Sequence, residues 1–398
     1  MPERSSAKFL FWMMAIATGL SVANLYYCQP LLQQMQQSFS ATANDIGWIP
    51  TLTQLGYAVG MLFLIPLGDR FEKRKLVFIS TLISAASLFL MASARSLGMA
   101  TFASFLMGLA TMTPQFLIPL AAHLSGEKKR GQILGMMMSG LLLGILLART
   151  VSGFVGGAYG WRSMFVFAAV LLLISSIVLW MVIPVSKPTF HGSYGKLLLS
   201  VLGLVRELPL LRESMWIGGA LFGAFSAFWA TLIFLVESPS FQLGPRTVGL
   251  FGLLGAAGAL AAPLVGRLSD RKSPRMTIFW GLVIVALAFL IYLVWGGHSL
   301  VALGLGVVLM DIGIQGAHVA NQSRVFAIRP EARSRLNTAY MFAYFSGGAM
   351  GSALGSSAWA RYGWPGVCIV SLSLVCVAAI AFVSHRWPVK PNSTLLRQ

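Results

Sequence analysis

Residues 66–75 read Pro66-Leu67-Gly68-Asp69-Arg70-Phe71-Glu72-Lys73-Arg74-Lys75, a short basic loop set between two apolar runs at roughly 46–67 and 76–94. About 20 apolar residues are what a helix needs to cross a bilayer. Working outward, the pattern of long apolar run and short polar loop recurs along the chain. Further runs fall at roughly 9–30, 97–122, 132–156, 162–184, 214–237, 247–266, 276–296, 299–322, 336–358 and 365–385, which makes twelve in all. With 57% hydrophobic and 10% charged residues over 398 positions, the chain has too little polar surface to clothe a water-soluble globule. A lipid-exposed backbone must satisfy its own hydrogen bonds, and these continuous runs do not alternate as barrel strands do. The expected fold is an all-α membrane protein with twelve transmembrane helices.

The net charge of +18 is explained by topology. Of the 29 Lys and Arg, Arg95, Arg162, Arg246 and Arg361 fall in loops on one side, and Arg149 falls inside a run. The rest lie in the loops of the other side or in the tails, which the positive-inside rule assigns to the cytoplasm together with both termini. A nucleic-acid binder would cluster its bases on a soluble face, so no nucleic-acid partner is expected. The first thirty residues loosely resemble a secretory signal, but removing them would strand the basic loops on the wrong side. Cys28, Cys368 and Cys376 all fall in runs and have no metal-ligand spacing. No metal or cofactor is expected.

Two landmarks repeat at an offset of about 200 residues. Asp69-Arg70 returns as Asp270-Arg271 in the loop Gly266-Arg267-Leu268-Ser269-Asp270-Arg271-Lys272, and Tyr159-Gly160-Trp161 returns as Tyr362-Gly363-Trp364. Six runs per copy is an even number, so both halves face the membrane in the same direction, the parallel-repeat plan of one class of secondary transporters. The expected organisation is an N-terminal six-helix bundle (1–184), a cytoplasmic linker (185–213) and a C-terminal six-helix bundle (214–398).

These features together resemble the major facilitator superfamily over nearly the whole chain. In its loop signature, Gly266, Leu268, Asp270 and Arg271 fit the second copy, while Ser273 and Pro274 depart; Leu67, Asp69, Arg70, Lys73 and Arg74 fit the first, while Ile65 and Glu72 replace its glycines. The resemblance implies that Asp69 and Asp270, with Arg70, Arg74 and Arg271, brace a cytoplasmic gate. Alternatively, the two aspartates are ordinary helix-end caps. Ser152-Gly153-Phe154-Val155-Gly156-Gly157 is similar to a signature of the drug:proton antiporter branch, but its proline is missing, and so is that branch's arginine in the fourth run, where Ser104-Phe105-Leu106-Met107-Gly108 stands.

An ionisable side chain near mid-bilayer costs about 2.5–3.5 kcal/mol on insertion scales, which makes it a functional candidate by default. Asp311 in the tenth run and Arg149 in the fifth qualify. Gly304, Asp311, Gln315, His318 and Gln322 step along one helical face, a polar stripe expected to line a central cavity. Asp311, Arg149 and His318 are the proton-coupling candidates. A permanent Arg149–Asp311 ion pair and direct binding of an anionic group by Arg149 remain the alternatives. His318, taken alone, reads equally as packing. Asn24, Tyr26, Gln29, Gln54, Tyr57, Gln115, Trp229 and Gln315 are candidates for the substrate cavity. Glycines at 249, 252, 255 and 258, at 347, 351 and 355, and at 56 and 60 mark faces where helices approach closely.

The functional expectation is a monomeric secondary active transporter in a bacterial inner membrane. It would export a small amphipathic substrate in exchange for protons by alternating access. A sugar or metabolite exporter or symporter is the alternative of the same class. The chain has no HExxH, no cluster of metal ligands and no Walker motif, which argues against an enzyme or a nucleotide-driven pump. It has no filter-like repeat, which argues against a channel.

Overall fold

The computed structural model describes residues 4–126, 129–185, 194–260 and 273–384. In the first half, α1 (Arg4–Ala23) runs into a short 3-10 turn at Gln29–Leu31, followed by α2 (Leu32–Phe39), α3 (Ala43–Ile46) and α4 (Trp48–Phe63). Next come α5 (Leu67–Arg70), α6 (Lys73–Ala92), α7 (Leu97–Ala110), α8 (Thr113–Leu124), α9 (Arg130–Tyr159) and α10 (Trp161–Val182). In the expected linker lies α11 (Tyr194–Glu207), and the next helix, α12 (Pro209–Val236), starts before the linker's expected end. The second half continues with α13 (Pro245–Leu260), α14 (Pro274–Ile291) with a π segment at Tyr292–Gly296, α15 (Leu300–Ile328) and α16 (Arg333–Ser384).

Among the described residues, eight helical segments are long and apolar enough to cross a membrane by themselves, with α7 and α8 taken as one and α14 taken with its π segment. α4 and α13 are shorter, as is the apolar part of α1 (Lys8–Ala23), and the 52 residues of α16 fold into two segments across a kink at Gly363. Among the described residues this makes twelve segments, a number consistent with twelve passes. The break between α7 and α8 falls where Thr111 leaves helical geometry and Pro114, without an N–H to donate, starts the next helix.

The internal repeat has a conformational cause. Gly160 has φ +83° and ψ 160°, and Gly363 has φ +62° and ψ −153°, backbone that side chains with a Cβ rarely tolerate. Each glycine turns the chain sharply between consecutive helices, and the Trp that follows locks the corner. Trp161 donates from Nε1 to Ser38 Oγ at 2.9 Å, and Trp364 donates from Nε1 to the Tyr292 carbonyl at 2.9 Å. Tyr159 and Tyr362 stay exposed, as aromatic residues do at a membrane interface.

Small residues set the helix contacts. A Cβ on Gly347 or Gly351 of α16 would run into the backbone of Gly219 or Gly223 of α12, and one on Gly56 of α4 into the Phe105 carbonyl of α7. Between the halves, Gly153 of α9 lies against Gly249 of α13, and Thr150 Oγ1 donates to the Gly249 carbonyl at 2.9 Å.

The halves meet at the end distant from residues 4 and 384. There Ser357 Oγ donates to Asn44 Oδ1 at 2.6 Å, and Gly47 abuts Ser356. α3 is held by a capping box in which Thr42 donates to the Asp45 carboxylate from its hydroxyl and its backbone N–H. Those two bonds, the hydroxyl's first, keep the Asp45 carboxyl below its usual range. At the opposite end the halves part around a cavity of about 380 Å³ between Ile65, Pro66, Phe116 and Pro119 of one half and Ser334, Arg335 and Thr338 of the other. α11 straps this end. Its Tyr194 hydroxyl donates to the Phe63 carbonyl of the first half, and its Glu207 pairs with Arg329 of the second.

Candidate functional site

The two ionisable residues singled out inside the membrane come from opposite halves and approach the same place. Arg149, on α9, is brought against the second half by Gly252 of α13, where an added Cβ would lie 3.0 Å from the Arg149 Cβ. One turn along, Gly255 makes room for Asp311 of α15; an added Cβ there would lie 3.0 Å from Asp311 Oδ2 and 3.6 Å from the Trp229 ring edge. The glycine face on α13 therefore receives both charges.

They are not paired. Lys75–Glu72, Arg324–Glu213 and Arg329–Glu207 are the ion pairs among the described residues, so Arg149 and Asp311 stand more than 4 Å apart, though within electrostatic range. Trp229 of α12 borders both groups. Its indole carries the Arg149 guanidinium 4.0 Å from its ring centroid, while its edge shares the Gly255 notch with Asp311. Tyr26 and Phe225 add further faces, 4.7 and 5.5 Å from the guanidinium carbon, and Gln29 Oε1 accepts from Arg149 Nε at 2.6 Å. Each cation–π contact contributes about 0.5–2 kcal/mol, and a buried cation costs several kcal/mol. Rings and one hydrogen bond offset part of that cost, and Arg149 Nη2 remains buried without an acceptor. Asp311 Oδ2 is likewise buried without a donor.

Aromatic rings surround the charges. Phe222 stacks on Phe225 and on Tyr344 at centroid distances of 5.5 and 4.1 Å, and Tyr57 meets Phe345 edge-on at 4.5 Å. Tyr26, Tyr292 and Tyr344 lie within electrostatic range of Asp311. Deep in the protein, Tyr26, Phe225 and Tyr344 each keep 6% of their surface exposed and Asp311 keeps 5%. The site is therefore not sealed solid.

The remaining candidates separate. Gln115 lines the 380 Å³ cavity and donates to the Tyr57 hydroxyl at 3.1 Å. Gln54 bonds across the halves to Ser226 and Ser352, at 3.2 and 3.3 Å, and so belongs to the closed seam. Asn24 is fully buried, and neither of its amide atoms has a partner. His318 shares a hydrogen bond of 3.1 Å between Nδ1 and the Tyr340 hydroxyl and packs on Tyr344, the arrangement of a packed histidine with a partner. Gln315 is half-buried. The cavity lining contains neither Asp311 nor Arg149.

Of the gate residues, Arg70 is exposed at the end of α5, and Arg74 sits with its guanidinium carbon 4.3 Å from the centroid of Trp180. Gly266, Asp270, Arg271 and the side chain of Asp69 lie outside the described residues. Sequence reasoning missed Tyr340 and Tyr344, and it missed the buried pair Arg324–Glu213, 3.1 Å apart, which ties α15 to α12. Both members stand next to basic loop clusters, so nothing in the sequence distinguishes them from ordinary loop charges.

The sequence model of the Major Facilitator Superfamily matches residues 14–352 and 238–398. The chain is 42% identical to an uncharacterized transporter, YgaY, of Escherichia coli O157:H7, over 94% of this chain and 95% of that protein. It is 34% identical to a probable transporter of Streptomyces coelicolor, SCO4007, over 93% and 86% of the two chains. Among solved structures, a bacterial homolog of the human lysosomal transporter Spinster, in an inward-facing and unoccupied conformation, matches with a TM-score of 0.73 at 15% identity. The match covers 98% of this chain and 100% of that one, and it is a likeness of fold.

Proposed function

The chain belongs to the Major Facilitator Superfamily, and from that premise we propose that it exports a small amphipathic compound in exchange for protons. The two halves would rock about the site between α9, α12, α13 and α15. One observation carries the reading: a carboxylate and a guanidinium from opposite halves stand unpaired at the interface on which those halves would move. In a rigid scaffold, two such groups would be expected to close on each other.

The coupling follows from electrostatics. A proton and the Arg149 guanidinium are alternative partners for the Asp311 carboxylate. At an effective dielectric of about 20, bringing opposite unit charges from about 6 Å to about 3 Å changes their interaction by about 3 kcal/mol. That is roughly a hundredfold in a protonation equilibrium. Rocking that brings Arg149 up to Asp311 on one side of the cycle would release the proton there. On this reading the basic loops and the 380 Å³ cavity face the cytoplasm, the chain works as a monomer, and the membrane is the bacterial inner membrane. Interhelical glycine contacts let the bundles slide without changes of rotamer.

The test is Asp311→Asn in proteoliposomes. With substrate saturating on both sides, exchange of labelled substrate between two loaded compartments should continue, and accumulation driven by a pH gradient should stop. Loss of both at saturating substrate, from a folded protein, would contradict proton coupling at Asp311.

A further inference from the structure

The central site holds two polar atoms of opposite character that the protein itself leaves unused. Arg149 Nη2 is an N–H donor on a cation, and Asp311 Oδ2 is an acceptor on a carboxyl group; both are buried and without partners. Each would cost several kcal/mol to leave so in a static protein. They flank one aromatic plate, the indole of Trp229, with Tyr26 and Phe225 beside it. Tyr26, Phe225 and Tyr344 keep 6% of their surface exposed and Asp311 keeps 5%, so the site has a solvent-reachable rim, and a ligand would reach Nη2 and Oδ2 as the halves move.

A ligand with only an anionic group would satisfy Arg149 and be repelled by an ionised Asp311. One with only a cationic group would satisfy Asp311 and be repelled by Arg149. A ligand that carries both, joined to an apolar body, meets donor, acceptor and rings at once. We infer that the substrate is amphoteric, with an ammonium for Asp311, a carboxylate for Arg149 and an apolar side group laid against Trp229 and Phe225. This rests on the transport reading above and deepens it, because the substrate ammonium and the proton would contend for one carboxylate, which is the competition an exchanger requires. It also fits the Gln29 bond to Nε, which holds the guanidinium while leaving its Nη2 edge available.

The experiment is equilibrium binding to the purified full-length protein, without a membrane gradient. The probes are leucine, methionine, phenylalanine and tryptophan, each beside its decarboxylated amine and its deaminated acid. At least one amino acid is expected to bind roughly tenfold to a hundredfold more tightly than either of its singly charged counterparts, the range for losing one hydrogen bond to a charged group. Arg149→Gln should erase the preference over the amine and keep the preference over the acid; Asp311→Asn should do the reverse. The wild-type series stands by itself if either variant fails to fold. Amine or acid binding as tightly as the amino acid, or no binding by any member of the series, overturns the inference. The gradient-driven assay with Asp311→Asn would still test proton coupling in that event, so the two readings fail separately.

Discussion

At the scale of single residues, Trp229 is the side chain on which the electrostatics turn. Its ring face lies against Arg149, and its edge shares the Gly255 notch with Asp311, so it borders both charges; on the coupling proposed above it would act as their spacer. Trp229→Leu removes the plate and lets the guanidinium settle on the carboxylate, where an ion pair competes permanently with the proton. Gradient-driven accumulation is expected to fall by about tenfold or more while exchange at saturating substrate persists, and Trp229→Phe should retain most coupling because a ring face remains. Parallel flux assays under the two regimes check this. The two charges were legible in the sequence because the bilayer penalises them wherever they sit. Trp229's role was not legible, because an aromatic residue in a span is usually packing, and its neighbours come from three other helices. Of the stripe from Gly304 to Gln322, expected to line a cavity, two members have protein partners. His318 turns to Tyr340, and Gln322 donates to Asn337 at 3.1 Å.

At the scale of elements, glycine positions decide which helices meet. Gly347, Gly351 and Gly355 of α16 face Gly219, Gly223 and Ala227 of α12, so the two backbones run in close contact over several turns. Gly351→Val forces them apart, and overpacking of this kind costs about 1–3 kcal/mol. A lower melting temperature of the detergent-solubilised protein is expected. Gly98→Val at the start of α7, where an added Cβ meets nothing, should leave it within a degree or two. These stripes were visible as spacings, yet the partner of each was not, because a small residue at every third or fourth position fits any close neighbour. The Tyr-Gly-Trp corners show the other side of legibility. Their repetition was plain in the sequence, and the backbone at Gly160 and Gly363 supplies the reason. Within the segment read as a linker, Val201 and Leu204 bury one side of α11, a helix docked on the bundle, which the sequence reading did not foresee.

At the scale of the whole molecule, the all-helical membrane fold was legible, because apolar length is a property of the chain alone. The conformational state was not. Which end closes depends on contacts such as Asn44–Ser357 and Gly47–Ser356, between residues about 300 positions apart that no local pattern links. The structure is closed at that end and parted at the other, one of the two arrangements that alternating access requires. The claim that rocking of the halves drives transport is tested most directly by fixing the closed end. In a background with Cys28, Cys368 and Cys376 replaced, Asn44→Cys with Ser357→Cys places two thiols where the native side chains already touch. Oxidation is expected to stop flux and reduction to restore it; flux that continues at the full rate with the disulfide formed would contradict the account.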